Sequence, residues 1–148
     1  MTTFRPPKTL ALAILIAASL VTLAGCSGAD HKLDGTRWRL DVWTLSSVSP
    51  REFPITAEFA DGRVSGSSGV NTYSGPYTVG PGAAFSAGPI SSTQIAGSEA
   101  AMRVETAYLT LLNQATSFEM TDAKLTLYDE FGSESMNFEP RWQRRRRA

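Results

Sequence analysis

The sequence predicts an α+β domain: a curved antiparallel β-sheet of about seven to eight strands packed with a single α-helix. Three observations carry that expectation. After Leu33 most of the chain alternates apolar and polar residues with period two, as strands with one buried face do. Short clusters of Gly, Pro and Asp punctuate these runs. One segment, residues 98–115, contains neither Gly nor Pro and places its apolar residues three and four apart. The domain is long enough for one modest core, and with a single cysteine in the chain its stability must come from packing.

The elements follow in order. Trp38, Leu40 and Val42 alternate with Arg37, Arg39 and Asp41, giving a first strand with the three apolar side chains inward. Ile55, Ala57 and Phe59 alternate with Thr56 and Glu58 in a second strand. Asp61-Gly62 then offers a tight hairpin turn, since both residues tolerate positive φ, and residues 63–66 begin the return strand. Residues 73–79 and 83–87 read as another pair around Gly80-Pro81-Gly82. In the helical segment Ala101, Val104, Tyr108, Leu111, Leu112 and Ala115 form one stripe, with Ser98 as the amino-terminal cap and Glu99 in the first turn, where the helix dipole favours a negative charge. Residues 117–120, 124–128 and 135–138 make a closing meander, turning at Thr121-Asp122-Ala123 and Glu130-Phe131-Gly132.

Ahead of the domain, Arg5 and Lys8 precede an apolar run over residues 10–23, and Leu23-Ala24-Gly25 leads directly into the only cysteine, Cys26. The run is shorter than the ~20 residues a membrane span needs. The arrangement resembles a bacterial lipoprotein signal, in which the cysteine thiol is acylated and the peptide bond before it is cut. A lone cysteine in an exported protein can also seek an intermolecular disulfide, but its place immediately after the apolar run favours acylation. The expected organisation is a signal peptide over residues 1–25, a small polar tether over 26–32 that holds the sole histidine, His31, a domain over 33–140, and a disordered basic tail over 141–148. Ser27 is not a retention aspartate, so the expected location is the outer membrane of a two-membrane cell or the outer face of a plasma membrane.

The whole chain balances 14 basic against 14 acidic residues, but the balance is uneven. Between Cys26 and Pro140 acidic residues outnumber basic ones two to one, whereas Arg141, Arg144, Arg145, Arg146 and Arg147 crowd the last eight positions. An acidic body repels phosphate backbones, which argues against nucleic acid as a partner. The arginine run suits a solvated tail or a contact with anionic lipid, with Trp142 placed for the headgroup zone.

The run Gly66-Ser67-Ser68-Gly69-Val70-Asn71-Thr72-Tyr73-Ser74-Gly75-Pro76-Tyr77 resembles the signature of the META domain, the module of HslJ-like heat-shock lipoproteins. Leu33-Asp34-Gly35-Thr36-Arg37-Trp38 resembles that family's opening strand, Ser92-Thr93-Gln94-Ile95-Ala96 its pre-helix segment, Met102 with Glu105 its helix, and Leu125-Thr126-Leu127-Tyr128 with Met136-Asn137-Phe138 its closing hairpin. Members of the family often carry cysteines where this chain has Val70 and Gly97; both are replaced together, as loss of a paired couple would require. Physically, Gly66, Gly69 and Gly75 permit positive φ or close backbone approach. Asn71 can hold the loop through backbone hydrogen bonds, and Tyr73 and Tyr77 share parity, so their rings can share a face with hydroxyls near a rim. With Thr93 and Glu105 these residues read either as a conformational staple or as a binding patch.

The residues offer little to catalysis. One histidine in a tether and one cysteine in an acylation position assemble neither a Ser/His/Asp nor a Cys/His constellation. No His/Cys cluster suits zinc, no acidic loop has calcium spacing, and Gly66 to Gly69 lacks the lysine and βαβ context of a phosphate loop, so no metal or cofactor is expected. Glu58 and Asp61 are a conceivable acid/base pair but sit on solvated faces; Glu105, beside the helical stripe, is the one carboxylate placed for an unusual environment. The expected function is therefore that of a non-enzymatic envelope lipoprotein, for which the resemblance implies a role in stress tolerance or envelope integrity. The alternative is a binding or inhibitor module that meets an envelope or cell-wall protein, for instance through an exposed Tyr/Asn loop.

Overall fold

A computed structural model describes residues 33–45 and 48–141. Cys26, His31, the expected signal peptide and Trp142 to Ala148 lie outside the described residues. The elements run β1 (Thr36–Trp43), β2 (Thr56–Ala60), β3 (Arg63–Ser67), β4 (Thr72–Gly80), β5 (Ala84–Ala87), β6 (Ser91–Ser92), α1 (Glu99–Gln114), β7 (Ser117–Met120), β8 (Leu125–Tyr128) and β9 (Glu134–Pro140). Every pairing among them is antiparallel, in the order β3-β2-β1-β9-β8-β7-β5-β4, and β3 pairs again with β4. The expected curved sheet thus closes into an eight-stranded barrel, with β6 added on the outer edge of β4. Closure removes the free edges that an open sheet would have to protect.

Closure is possible because each strand spends one face on a shared interior. Trp38, Leu40, Ile55, Ala57, Phe59, Val64, Phe85, Phe118, Leu125, Leu127, Met136 and Phe138 are all buried in one cluster. Asp61 (φ 52) and Gly62 (φ 70) make the β2–β3 turn, as their tolerance of positive φ requires. The first strand differs from expectation at its end. A bulge between Leu40 and Val42 inserts one residue against β9, so parity reverses: Trp43 points inward and Val42, expected in the core, is 50% exposed.

The helix starts where the sequence places it. Ser98 accepts a hydrogen bond from the Ala101 amide at 3.2 Å, and Ala101, Val104, Glu105, Tyr108, Leu111 and Leu112 form its buried face. Strand direction alternates around the ring, so the turns fall into two sets. The β3–β4 and β8–β9 turns, the link after β1 and the helix lie at one end. The β2–β3, β4–β5 and β7–β8 turns lie at the other, together with the start of β1 and the end of β9. Leu33, buried, covers that second end, and the Arg141 amide still donates to the Arg37 carbonyl at 2.8 Å, so the ladder reaches one residue into the expected tail.

Candidate functional site

The signature residues converge where the helix covers the barrel. Between β3 and β4 the chain reverses in a tight loop: the Ser68 amide donates to the Asn71 carbonyl at 2.8 Å, and Gly69 takes φ +114, a conformation that L side chains rarely adopt. The loop carries Ser68 and Asn71 under the helix, where both are buried. Glu105 descends from α1 and is itself buried. Its Oε2 accepts from the Asn71 amide at 3.2 Å, from Asn71 Nδ2 at 3.0 Å and lies 3.0 Å from the Ser68 hydroxyl. Among the described residues it has no cationic partner. The carboxylate is held by dipoles alone, as buried carboxylates without a counter-ion require.

Asn71 works in two directions. Its Nδ2 also donates to the Ile95 carbonyl at 3.2 Å, while Oδ1 accepts from the Ile95 amide and the Thr93 hydroxyl, both at 2.7 Å. The side chain behaves as an added residue of backbone, pairing with the pre-helix segment as a strand would. Thr93 completes the clasp, since Thr72 N donates to its hydroxyl at 3.2 Å and Thr93 N to the Thr72 carbonyl at 3.0 Å. The otherwise exposed segment 91–98 is thereby tied to the barrel by the β6 pairing, the Thr72–Thr93 bonds and the buried amide of Asn71.

The glycines serve close approach more than turning. A Cβ on Gly66 would stand 2.1 Å from the Thr56 carbonyl oxygen, and one on Gly75 would stand 2.5 Å from Ile90 Cδ1 and 2.8 Å from the Pro89 carbonyl oxygen. Tyr73 and Tyr77 do share the inward face, but they part company at the hydroxyls. Tyr73 is buried, 2.5 Å from the hydroxyl of Tyr108, and donates to the Thr56 carbonyl at 2.9 Å. Burial above all, with the neighbouring phenol, pushes the Tyr73 ionisation well up, and burial does the same for Tyr108. Tyr77 alone lies near a rim: its ring packs edge-on to Phe59 at 5.0 Å and its hydroxyl donates to Asp34 at 3.3 Å. Desolvation, then the Asp34 charge and hydrogen bond, raise its pKa to about 12.

Asn71 and Tyr73 are therefore inside the molecule, and the loop that carries them presents neither side chain outward. Glu58 pairs with Arg37 across β1 and β2 at 2.8 Å, while Asp61 forms the β2–β3 turn. Sequence reasoning had not singled out Ser68, Tyr108 or the Ile95 backbone as partners in this network. The serine lay within the signature and the tyrosine within the core stripe, but only the barrel's closure brings them to Asn71 and Tyr73. Outside the network, a groove of ≈ 520 Å³ runs between Leu45 and the outer face of α1, lined by Glu99, Met102, Arg103, Thr106, Ala107 and Thr110. Among the described residues no helix is long and apolar enough to cross a membrane.

The META domain family model matches residues 31–142. Among solved structures, the chain is similar to an NMR structure of a protein from Burkholderia xenovorans, with 26% identity and a TM-score of 0.62, over 75% of this chain and 85% of that one. A crystal structure of a DUF4847 family protein from Bacteroides vulgatus shares the fold at 16% identity and a TM-score of 0.56, over 78% of this chain and 99% of that one. Among curated proteins none matches.

Proposed function

Because the chain belongs to the META domain family, we propose that it is a lipid-anchored protein of the bacterial cell envelope whose domain acts in stress tolerance or envelope integrity without catalysing a reaction. The observation that carries the non-catalytic part is the closure of the signature upon itself. Ser68, Asn71, Thr93 and Glu105 direct their polar atoms at one another and at the Ile95 backbone, and Tyr73 and Tyr108 do likewise. A general acid or base must reach a substrate proton at hydrogen-bond distance, and the Glu105 carboxylate is buried under the helix against Ser68 and Asn71. The network supports a staple that fixes the helix and pre-helix segment on the barrel.

The anchor rests on the run from Leu23 to Cys26 behind the apolar segment. Metabolic labelling with palmitate tests it. Wild-type chain takes up label and loses its first 25 residues, whereas Cys26→Ser remains unlabelled and accumulates as a precursor or as a form released by another peptidase. Equal labelling of the two would remove the lipid anchor from the proposal.

A further inference from the structure

We propose that the turn between β8 and β9 is a docking site for a polypeptide partner that offers an apolar pocket rimmed by basic side chains. The proposal goes beyond the function proposed above and is independent of the lipid anchor. Phe131, at the tip of this turn, is 84% exposed, the most exposed of the large hydrophobic residues described. A solitary exposed apolar residue is ordinary on a protein surface. What sets this one apart is the framework beneath it.

Asp129 Oδ1 accepts from the amides of Phe131 and Ser133, each at 2.9 Å. The Gly132 amide donates to the Asp129 carbonyl at 3.1 Å, the Asp129 amide donates to the Ser133 carbonyl at 3.0 Å, and Gly132 takes φ 75. From outside the hairpin, the Thr116 hydroxyl donates to the Asp129 carbonyl at 2.8 Å and the Thr116 amide to the Tyr128 carbonyl at 2.9 Å. The backbone bearing the ring is therefore fixed before any partner arrives. An aromatic presented on an ordered turn pays little further ordering entropy on binding, which is how preorganised anchors gain affinity.

The surroundings choose the partner. Around the turn stand three acidic residues, Asp129, Glu130 and Glu134, and the sequence from Leu125 to Pro140 holds no Lys or Arg; Glu139, the fourth acid of the hairpin, lies at the far end of β9 opposite Arg39. Lys124, at the base of the hairpin, reaches Glu134 at 3.7 Å and leaves Glu130 beside the ring unmatched among the described residues. Across the β9–β1 pairing, the bulge turns Val42 outward and Leu45 follows, 50% and 53% exposed, extending the apolar surface at this end of the barrel. An acidic rim repels anionic bilayers and a second copy of the same turn, and attracts a cationic polypeptide.

The test places p-benzoylphenylalanine at position 131 of the full chain in the producing cell and irradiates it. The expected result is a discrete protein adduct whose yield falls about tenfold with Glu130→Lys or with raised salt in isolated envelopes, as rim charges do. The same probe at Val79, an exposed residue of β4 near the opposite end, gives none. Adducts with lipid, adducts only with a second copy, equal adducts at Val79, insensitivity to charge reversal, or no adduct at all would each overturn the proposal. Phe131→Ser should melt as the wild type does; a large loss of stability would assign the ring to folding and likewise remove it from docking.

Discussion

At the scale of single residues, Asn71 is the hub of the clasp between the barrel and the helix. The Asn71 side chain satisfies the Ile95 backbone, the Thr93 hydroxyl and a carboxylate at once, so its truncation leaves the Ile95 amide, the Thr93 hydroxyl and Glu105 short of partners. Asn71→Ala is expected to destabilise the domain by ~1–3 kcal/mol, the cost of orphaned buried polar groups, and thermal unfolding measures it. An unchanged melting temperature would mean that the network is ornamental to stability. The tyrosines give a second handle. All four in the chain are held above the ordinary phenol value of 10.0: Tyr73 and Tyr108 chiefly by burial, Tyr77 by burial to about 12, and Tyr128 chiefly by its hydrogen bond to Glu119. Their folded-state ionisation lies above the unfolded one, so the associated stability is fully present below pH 10 and is lost as pH rises through the folded values. Tyrosinate absorbance should therefore lag behind that of free tyrosine above pH 10 and then appear together with unfolding; independent titration at pH 10 with the fold intact would contradict the burial of the Tyr73–Tyr108 pair.

At the scale of elements, Val70 and Gly97 show what the clasp must withstand. A Cβ built on Gly97 falls 3.4 Å from Val70 Cβ, close to the separation a disulfide spans, so the two positions where family members often carry cysteine lie side by side. Here the Val70 side chain occupies the space beside the bare Gly97 backbone, and Asn71 does the tying. Val70→Cys combined with Gly97→Cys should oxidise spontaneously and raise stability by ~3 kcal/mol relative to its reduced form, from the loop it closes. Free thiols under oxidising conditions would show that the segment stands further from the barrel. Elements were also where the sequence was most legible. Period two found the strands, the 98–115 stripe found the helix, and Ser98 found its start, because each signal is local. Val42 was misplaced because a bulge depends on the partner strand, which the alternation of β1 alone does not contain. Barrel closure through β3 and β4 was equally out of reach, since it joins the middle of the chain to itself by register. The buried setting of Glu105 was half legible: its place beside the stripe marked it, but its donors come from a loop more than thirty residues away.

At the scale of the whole molecule, alternation around the barrel has a consequence for how the chain meets a membrane. The first strand begins and β9 ends at the same end, opposite the helix, so residues preceding Leu33 and residues following Arg141 both leave from one side. An acyl group on Cys26 and the arginines at 144–147 would then address the same surface, and the helix and the β8–β9 turn would face away from it. Seven residues beyond Arg141 reach at most ~25 Å, enough to lay Trp142 and four cations along a bilayer that the tether keeps close. Each basic residue near an anionic surface gains ~1 kcal/mol, and the acidic body offsets part of it by repulsion, so the tail should orient the domain more than retain it. A chain of residues 27–148, without lipid, is accordingly expected to sediment with phosphatidylglycerol vesicles at low salt and to release by ~0.5 M salt, where screening confines electrostatic reach to a few ångströms. A chain ending at Pro140 should melt nearly as the longer one does, losing among the described residues the Arg141–Arg37 backbone bond, and should ignore the vesicles. Brominated lipid gives the second readout, because Trp38 and Trp43 are shielded in the barrel and only Trp142 is left to be quenched. Equal sedimentation of both chains, or vesicle binding without quenching, would place the membrane contact on the barrel itself and leave the orientation to the lipid alone.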